Sequence, residues 1–315
     1  MKITMIGKND TWGIMLYWKY LLGDNLKYFM AHPAIAYPDL SNPNNELKQS
    51  LKEADVIIAQ IAIRNQGLTD NLIINNVDIR EYKDKTLIYF CSDREGTIKL
   101  KEYQNYYKGF RGYIALTPDV ATILDIPYVP QPILPEVITN KYDKTHMDKI
   151  LYVRHYHEIR GQIESSYEEI NDFNALGIYF NKKYNASVNF QSNSMTLQDI
   201  LACLSKTYFH LIYDNKSGCY SHIGLLSASR GVATISSLLP KYQIKFQEFA
   251  DTFTLPFINV TNFSEFKHQM ECLINNRDFI EHEGNRAGRW MEKFWNKEKH
   301  INNFNKVLRS FNFGG

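Results

Sequence analysis

Four prolines in nine residues, Pro127, Pro130, Pro132 and Pro135, divide this chain of 315 residues. Proline fixes φ and has no N–H to donate, so neither a helix nor a central strand runs through Pro127-Tyr128-Val129-Pro130-Gln131-Pro132-Ile133-Leu134-Pro135. The polar stretch Asn140–Asp148 follows it. At roughly 150 residues per domain the length allows two domains, and this segment is where they part.

The same alternation of elements occurs on both sides. Before the prolines, Lys2–Gly7, Leu26–Met30, Asp55–Gln60, Thr86–Cys91 and, more weakly, Gly112–Leu116 read as strands, with helical patterns at Trp12–Leu22 and Glu46–Glu53. After them, strands are expected at Lys149–Val153, Ala186–Phe190, Phe209–Tyr213, Val232–Ile235 and Pro256–Val260. Helices are expected at Ile163–Tyr179, Leu197–Leu204 and His222–Ser229, and nearly everywhere from Phe263 onward, with Gly284 and Gly288 as interruptions. Short apolar runs separated by helical patterns predict parallel sheets covered on both faces. The expected fold class is therefore α/β, two Rossmann-like domains facing each other across a cleft. Residues 1–135 form the first and 145–297 the second, with a terminal helix over 298–315 packing back on the first. The carboxyl ends of the strands, and any ligand, then lie in the cleft.

Composition narrows the partners. Lys and Arg number 36 against 34 Asp and Glu, and cutting at residue 145 leaves 17 of each sign in the first part. Neither half is a polycation, so a strong sequence-independent grip on nucleic acid is not indicated, although a local basic groove stays open. One basic cluster, Lys99, Lys101, Lys108 and Arg111 among Tyr103, Tyr106, Tyr107 and Phe110, suits a DNA backbone; a solvated amphipathic helix is the default reading. The four cysteines, Cys91, Cys203, Cys219 and Cys272, form no Cys-x-x-Cys pair, which fits a reducing cytoplasm. No apolar run approaches the ~20 residues of a membrane span, and the start lacks a signal-peptide core.

Three passages resemble the GT-B glycosyltransferases, over nearly the whole chain. Val129-Pro130-Gln131-Pro132-Ile133 is similar to the segment that ends their first domain. Gly224-Leu225-Leu226-Ser227-Ala228-Ser229-Arg230-Gly231-Val232-Ala233-Thr234-Ile235 resembles their donor-site segment, and Asn285-Arg286-Ala287-Gly288-Arg289 with Trp290 to Trp295 resembles their closing helices. The resemblance implies an acceptor-binding first domain and a second domain that holds a nucleotide sugar, most simply a UDP-sugar, with no tightly bound cofactor. It also implies two glutamates eight positions apart, the second gripping the ribose; here those positions are Gly218 and Leu226. Neither side chain accepts a hydrogen bond, so either another group holds the ribose, Asp214 being nearest in sequence, or the donor differs, or the site is degenerate.

Within that family the phage DNA base glucosyltransferase type is most similar. Its general-base aspartate matches Asp93 in Ser92-Asp93-Arg94-Glu95, directly after the strand Thr86–Cys91. The alternative for Asp93 is a loop or capping carboxylate. Asp10 is the second catalytic candidate and equally a helix cap, while Trp12 and Arg94 are candidates for holding the acceptor. The loop Arg154-His155-Tyr156-His157-Glu158-Ile159-Arg160-Gly161 offers Arg154, His157 and Arg160 to a diphosphate; its other reading is a solvated loop. Ser217, Ser221 and His222, just before a helix, are a second phosphate-binding group. Trp12, Tyr17, Trp18 and Tyr20 suit a packed helix better than a stacking platform. No metal ligand set is evident; a divalent ion accompanying the donor stays open, without an Asp-x-Asp pair.

The expected activity is transfer of a sugar from a nucleotide diphosphate sugar to an acceptor hydroxyl. A hydroxymethyl-pyrimidine in phage DNA is the favoured acceptor, duplex DNA the expected partner and the host cytoplasm the expected location. The alternatives are a bacterial transferase building surface polysaccharide or a glycoprotein, and a binding protein without turnover. The sequence does not set the oligomeric state.

Overall fold

A computed structural model describes residues 1–7, 14–30, 43–62, 73–74, 77–91, 105–134, 149–152, 204, 207–211, 219–220 and 222–313. Its strands are β1 (Ile3–Gly7), β2 (Leu26–Met30), β3 (Val56–Ala62), β4 (Ile73–Ile74), β5 (Val77–Asp78), β6 (Thr86–Cys91), β7 (Gly112–Ala115), β8 (Lys149–Tyr152), β9 (Thr207–Leu211), β10 (Ala233–Ser236) and β11 (Ile258–Asn259). Its helices are α1 (Ile14–Leu22), α2 (Pro43–Glu53), α3 (Pro118–Leu124), α4 (His222–Ser229), α5 (Pro240–Ala250), α6 (Phe263–Asn275), α7 (Arg277–Phe294) and α8 (Lys297–Ser310).

The first sheet has the order β2-β1-β3-β6-β7, and every neighbouring pair is parallel. Successive side chains of a strand point to opposite faces, so a strand buried on both reads as a nearly continuous apolar run, here interrupted by the buried Thr4, Gln60 and Thr86. Met5, Val56, Ile58, Leu87, Tyr89 and Ile114 enter one cluster, while Ile6, Ile57, Ala59, Ile61, Ile88, Phe90 and Ala115 enter the other. Helix α1 covers the first face with Tyr17, Trp18 and Leu21, joined by Phe304, Val307 and Leu308 of α8. The Trp18 and Phe304 rings meet at 5.0 Å. Tyr17 and Trp18 are thus packed, as a buried helix requires. On the second face, Leu47 and Leu51 of α2 and Val120, Ala121 and Leu124 of α3 close the layer. From β1 the chain adds β2 on one side and then crosses back to add β3 on the other. A ligand crevice forms at such a reversal, outside the carboxyl ends of β1 and β3.

The second sheet runs β11-β10-β9-β8, again parallel throughout. The expected strand Ala186–Phe190, the helix Ile163–Tyr179 and all of Leu197–Leu204 except Leu204 fall outside the described residues. Two parallel α/β sheets in one chain are the fold class read from the sequence.

Gly284 and Gly288 correct that reading. Helix α7 runs through both without a break. A Cβ on Gly284 would stand 2.2 Å from the Gly231 carbonyl oxygen, so glycine is required for helix and turn to touch. The close contact outweighs the cost of a glycine in mid-helix, about 1 kcal/mol. The cluster around Tyr106 divides as an amphipathic segment does, with Lys108 and Arg111 exposed and Tyr107 turned inward. Tyr107 is buried with Phe110 beside it, and Arg111 donates to the Phe311 carbonyl at 2.8 Å and lies over the Phe313 ring. Lys99, Lys101 and Tyr103 lie outside the described residues.

The proline-rich crossover begins where Asp125, at φ 52°, ends α3 in a left-handed turn. Val129 N–H donates to Ala115 and Ala115 N–H to Pro127, so the segment runs beside β7. Prolines supply no ladder donors, and three of the carbonyls are met by side chains instead. Tyr89 Oη donates to Val129 at 2.6 Å, Asn303 Nδ2 to Tyr128 at 3.0 Å, and Trp295 Nε1 to Gln131 at 3.3 Å. Trp295, between α7 and α8, also packs on Phe246 (5.1 Å), Phe249 (4.8 Å) and His300 (5.4 Å).

Candidate functional site

Helix α4 is eight residues long, and its sequence leaves it no polar face: Ile223, Gly224, Leu225, Leu226, Ser227 and Ala228 are all buried. It packs between β10 and α7. Ser227 Oγ donates to the Ile223 carbonyl at 2.8 Å. With its proton committed there, the hydroxyl accepts from His210 Nδ1 of β9, which pins the helix to the sheet. The first N–H groups of any helix lack partners within the helix, so the amino end of α4 carries a partial positive charge.

His222 opens the helix. It is half-buried, its Nδ1 has no hydrogen-bond partner, and burial presses its pKa from 6.5 down to about 4. At neutral pH the ring is uncharged and carries one N–H, suited to hydrogen-bonding a ligand oxygen without adding charge. The Tyr220 ring lies edge-on to it at 6.2 Å. The Tyr220 hydroxyl meets Tyr128 Oη of the crossover at 2.6 Å. Burial drives both phenols well above 10, and the neighbouring Asp119 and Cys219 add to the rise at Tyr220. This end of α4 therefore touches the segment that leaves the first sheet.

At the far end, Arg230 is 7% exposed, and none of its three guanidinium nitrogens has a hydrogen-bond partner among the described residues. Burial lowers its pKa, and its charge pulls against the burial that raises Tyr17 of α1 to about 12. Leu226, at the position of the family's ribose glutamate, is 5% exposed and sits in the main core. A carboxylate there would be buried among hydrocarbon, so the substitution belongs to the packing of α4.

Of the residues singled out in the sequence, the structure places His222 at the amino end of α4. Asp93, Asp10, Arg154, His157, Arg160, Asp214, Ser217, Ser221, Trp12 and Arg94 lie outside the described residues. The described ends beside them are the carboxyl ends of β6 for Asp93 and Arg94, of β1 for Asp10 and Trp12, and of β8 for Arg154. Sequence reasoning missed Tyr128, Tyr220 and Arg230; the only signal was a tyrosine set among prolines. Among the described residues no three His, Cys, Asp or Glu side chains gather as a metal site. No described helix is long and apolar enough to cross a membrane.

No protein-family model and no curated relative matches the chain. Solved structures do. An α-glucosyltransferase in complex with UDP-glucose and DNA containing an abasic site superposes with TM-score 0.62 at 9% identity, covering 98% of this chain and 99% of that one. Sucrose-phosphate synthase from Thermosynechococcus elongatus gives 0.59 at 10% identity, with 98% and 99% covered. HepE of Anabaena in complex with UDP-glucose gives 0.57 at 9%, with 98% and 100% covered. Likeness at these identities defines the architecture: the chain has the GT-B glycosyltransferase fold.

Proposed function

We propose that the chain is a glycosyltransferase that moves a sugar from a UDP-sugar to an acceptor hydroxyl. The observation that carries this reading is the end-to-end likeness to solved transferases, several of them holding UDP or UDP-glucose. The amino end of α4, with a neutral His222 and the partial positive charge of a helix start, suits a phosphate or ribose oxygen. Arg154, His157 and Arg160 after β8 and Ser217 and Ser221 ahead of α4 complete the donor side, with Asp214 taking the ribose in place of the missing glutamate.

In the reaction, an acceptor oxygen forms a bond to the anomeric carbon as the bond from that carbon to the diphosphate breaks. The nucleotide leaves as a diphosphate, whose growing charge the arginines and helix N–H groups stabilise. In an inverting transfer Asp93 takes the acceptor proton, and Asp10 is the alternative base. Residues 1–135 would hold the acceptor, with Trp12 and Arg94 against it.

A hydroxymethyl-pyrimidine in duplex DNA is the favoured acceptor, in a cytoplasmic setting. Support comes from an α-glucosyltransferase of the same architecture solved with UDP and DNA containing an HMU base. The test offers labelled UDP-sugars with hydroxymethylated duplex, unmodified duplex and a lipid-linked sugar, using wild type, Asp93→Asn and Arg160→Ala. Transfer to the hydroxymethylated duplex alone is expected. Asp93→Asn should lower turnover about 10²–10⁴-fold with donor affinity kept. Arg160→Ala should instead weaken donor binding. Transfer only to the lipid-linked sugar would replace the DNA acceptor, and donor binding without transfer to any acceptor would leave a binding protein.

A further inference from the structure

The hydroxyls of Tyr128 and Tyr220 meet 92 residues apart in sequence, between the crossover beside the first sheet and the approach to α4 beside the second. Both residues are buried, and each is held from other directions as well. The Tyr128 carbonyl accepts from Asn303 of α8, and its ring packs on Phe249 of α5 at 6.0 Å. The Tyr220 ring packs on Phe246 at 5.2 Å and against His222 at 6.2 Å. Phe246 in turn stacks on Trp295, which donates to Gln131 of the crossover. The chain of contacts returns to its starting segment, so Tyr220 cannot move without disturbing the crossover.

We infer that Tyr128 and Tyr220 are positioning residues: their hydrogen bond fixes the amino end of α4, and His222 with it, against the crossover, so a residue outside the second sheet sets the geometry of donor binding. This rests on the UDP-sugar reading of that helix end. Both phenols stay protonated across the physiological range, so the bond persists wherever the enzyme would work. It also ties the donor end of α4 to the junction between the two sheets. Relative movement of the halves must therefore be felt at His222.

Three variants test it: Tyr128→Phe, Tyr220→Phe and the double variant. Each single change leaves the other hydroxyl buried without a partner, and the melting temperature should fall. The double change removes both hydroxyls, and the melting temperature should return close to wild type. Calorimetric binding of UDP and UDP-glucose should be about tenfold weaker in all three variants, with no recovery in the double one. The His222 ring, followed by NMR, should titrate above its wild-type value in the double variant, as a loosened ring gains access to water. Wild-type affinity and an unmoved His222 titration in the double variant would overturn the inference, as would affinity that merely follows the melting temperature. Failure of the wild-type protein to bind either ligand would sink the donor reading instead, and the His222 titration would still decide the positioning role.

Discussion

The crossover from Pro127 to Leu134 and the helix His222–Ser229 are buried to a similar depth, and both leave a polar side-chain atom unmatched, Gln131 Oε1 in the first and His222 Nδ1 in the second; they differ in how the backbone and the ends are served. In the crossover, where proline has removed the usual donors, Tyr89, Asn303 and Trp295 each reach a backbone carbonyl. At α4 a ring nitrogen at one end and a guanidinium just beyond the other are buried without hydrogen-bond partners among the described residues. A buried polar group left unmatched costs on the order of 1–3 kcal/mol, more when charged. The contrast teaches that the junction is built for holding, whereas α4 keeps polar capacity in reserve at both ends.

The strongest way to break that contrast is at Trp295. Replacing it with alanine empties a fully buried ring site among Phe246, Phe249 and His300 and frees the Gln131 carbonyl. Urea unfolding should show a loss of about 3–5 kcal/mol. A loss below about 1 kcal/mol would mean that the junction does not depend on this ring.

A second effect comes from two histidines held neutral, His222 of α4 and His300 of α8, which packs on Trp295 beside the crossover. Burial takes His222 down to about 4 and His300 to about 3. Because the folded pKa lies below the unfolded value near 6.5, the unfolded chain binds more protons once the pH drops below that value. The stabilisation is complete above pH 6.5 and is lost as the pH falls toward 4 and then 3. The slope should reach about 1.4 kcal/mol per pH unit for the fully buried His300. His300→Phe should flatten stability against pH between 6.5 and 3, whereas an unchanged slope would show that the ring is not neutral in the folded protein.

The smallest expected effect has the opposite sign. Arg230→Met replaces an unmatched buried cation with a hydrocarbon of similar length and should raise stability by about 1 kcal/mol. Destabilisation would reveal a partner for the guanidinium and weaken the contrast from the α4 side.

The parallel sheets were legible because β1, β3 and β6 are apolar on both faces; Asp55-Val56-Ile57-Ile58-Ala59-Gln60 admits few other readings. Misreading Gly284 followed from local propensity, since only the approach of the Gly231 carbonyl, unseen in sequence, explains a glycine there. His222 was legible from its place at a helix start. Its low pKa was not, because it depends on neighbours brought in by folding. Tyr128 and Tyr220 carry no motif and lie too far apart in sequence for periodicity to pair them. Leu226 shows the reverse: the missing ribose carboxylate was plain in the sequence, but its reason, a side chain in the main core, required the packing.

The docking of Phe304, Val307 and Leu308 against Trp18 has a consequence for biosynthesis. One side of the first sheet is finished by a helix made long after the strands it covers, since β7 ends at Ala115 and α8 begins at Lys297. At roughly 5–20 residues per second, the early half would wait on the order of ten seconds or more with an apolar side incompletely shielded. A nascent chain of this design invites a chaperone at that side, and removal of α8 should harm solubility far more than its length suggests.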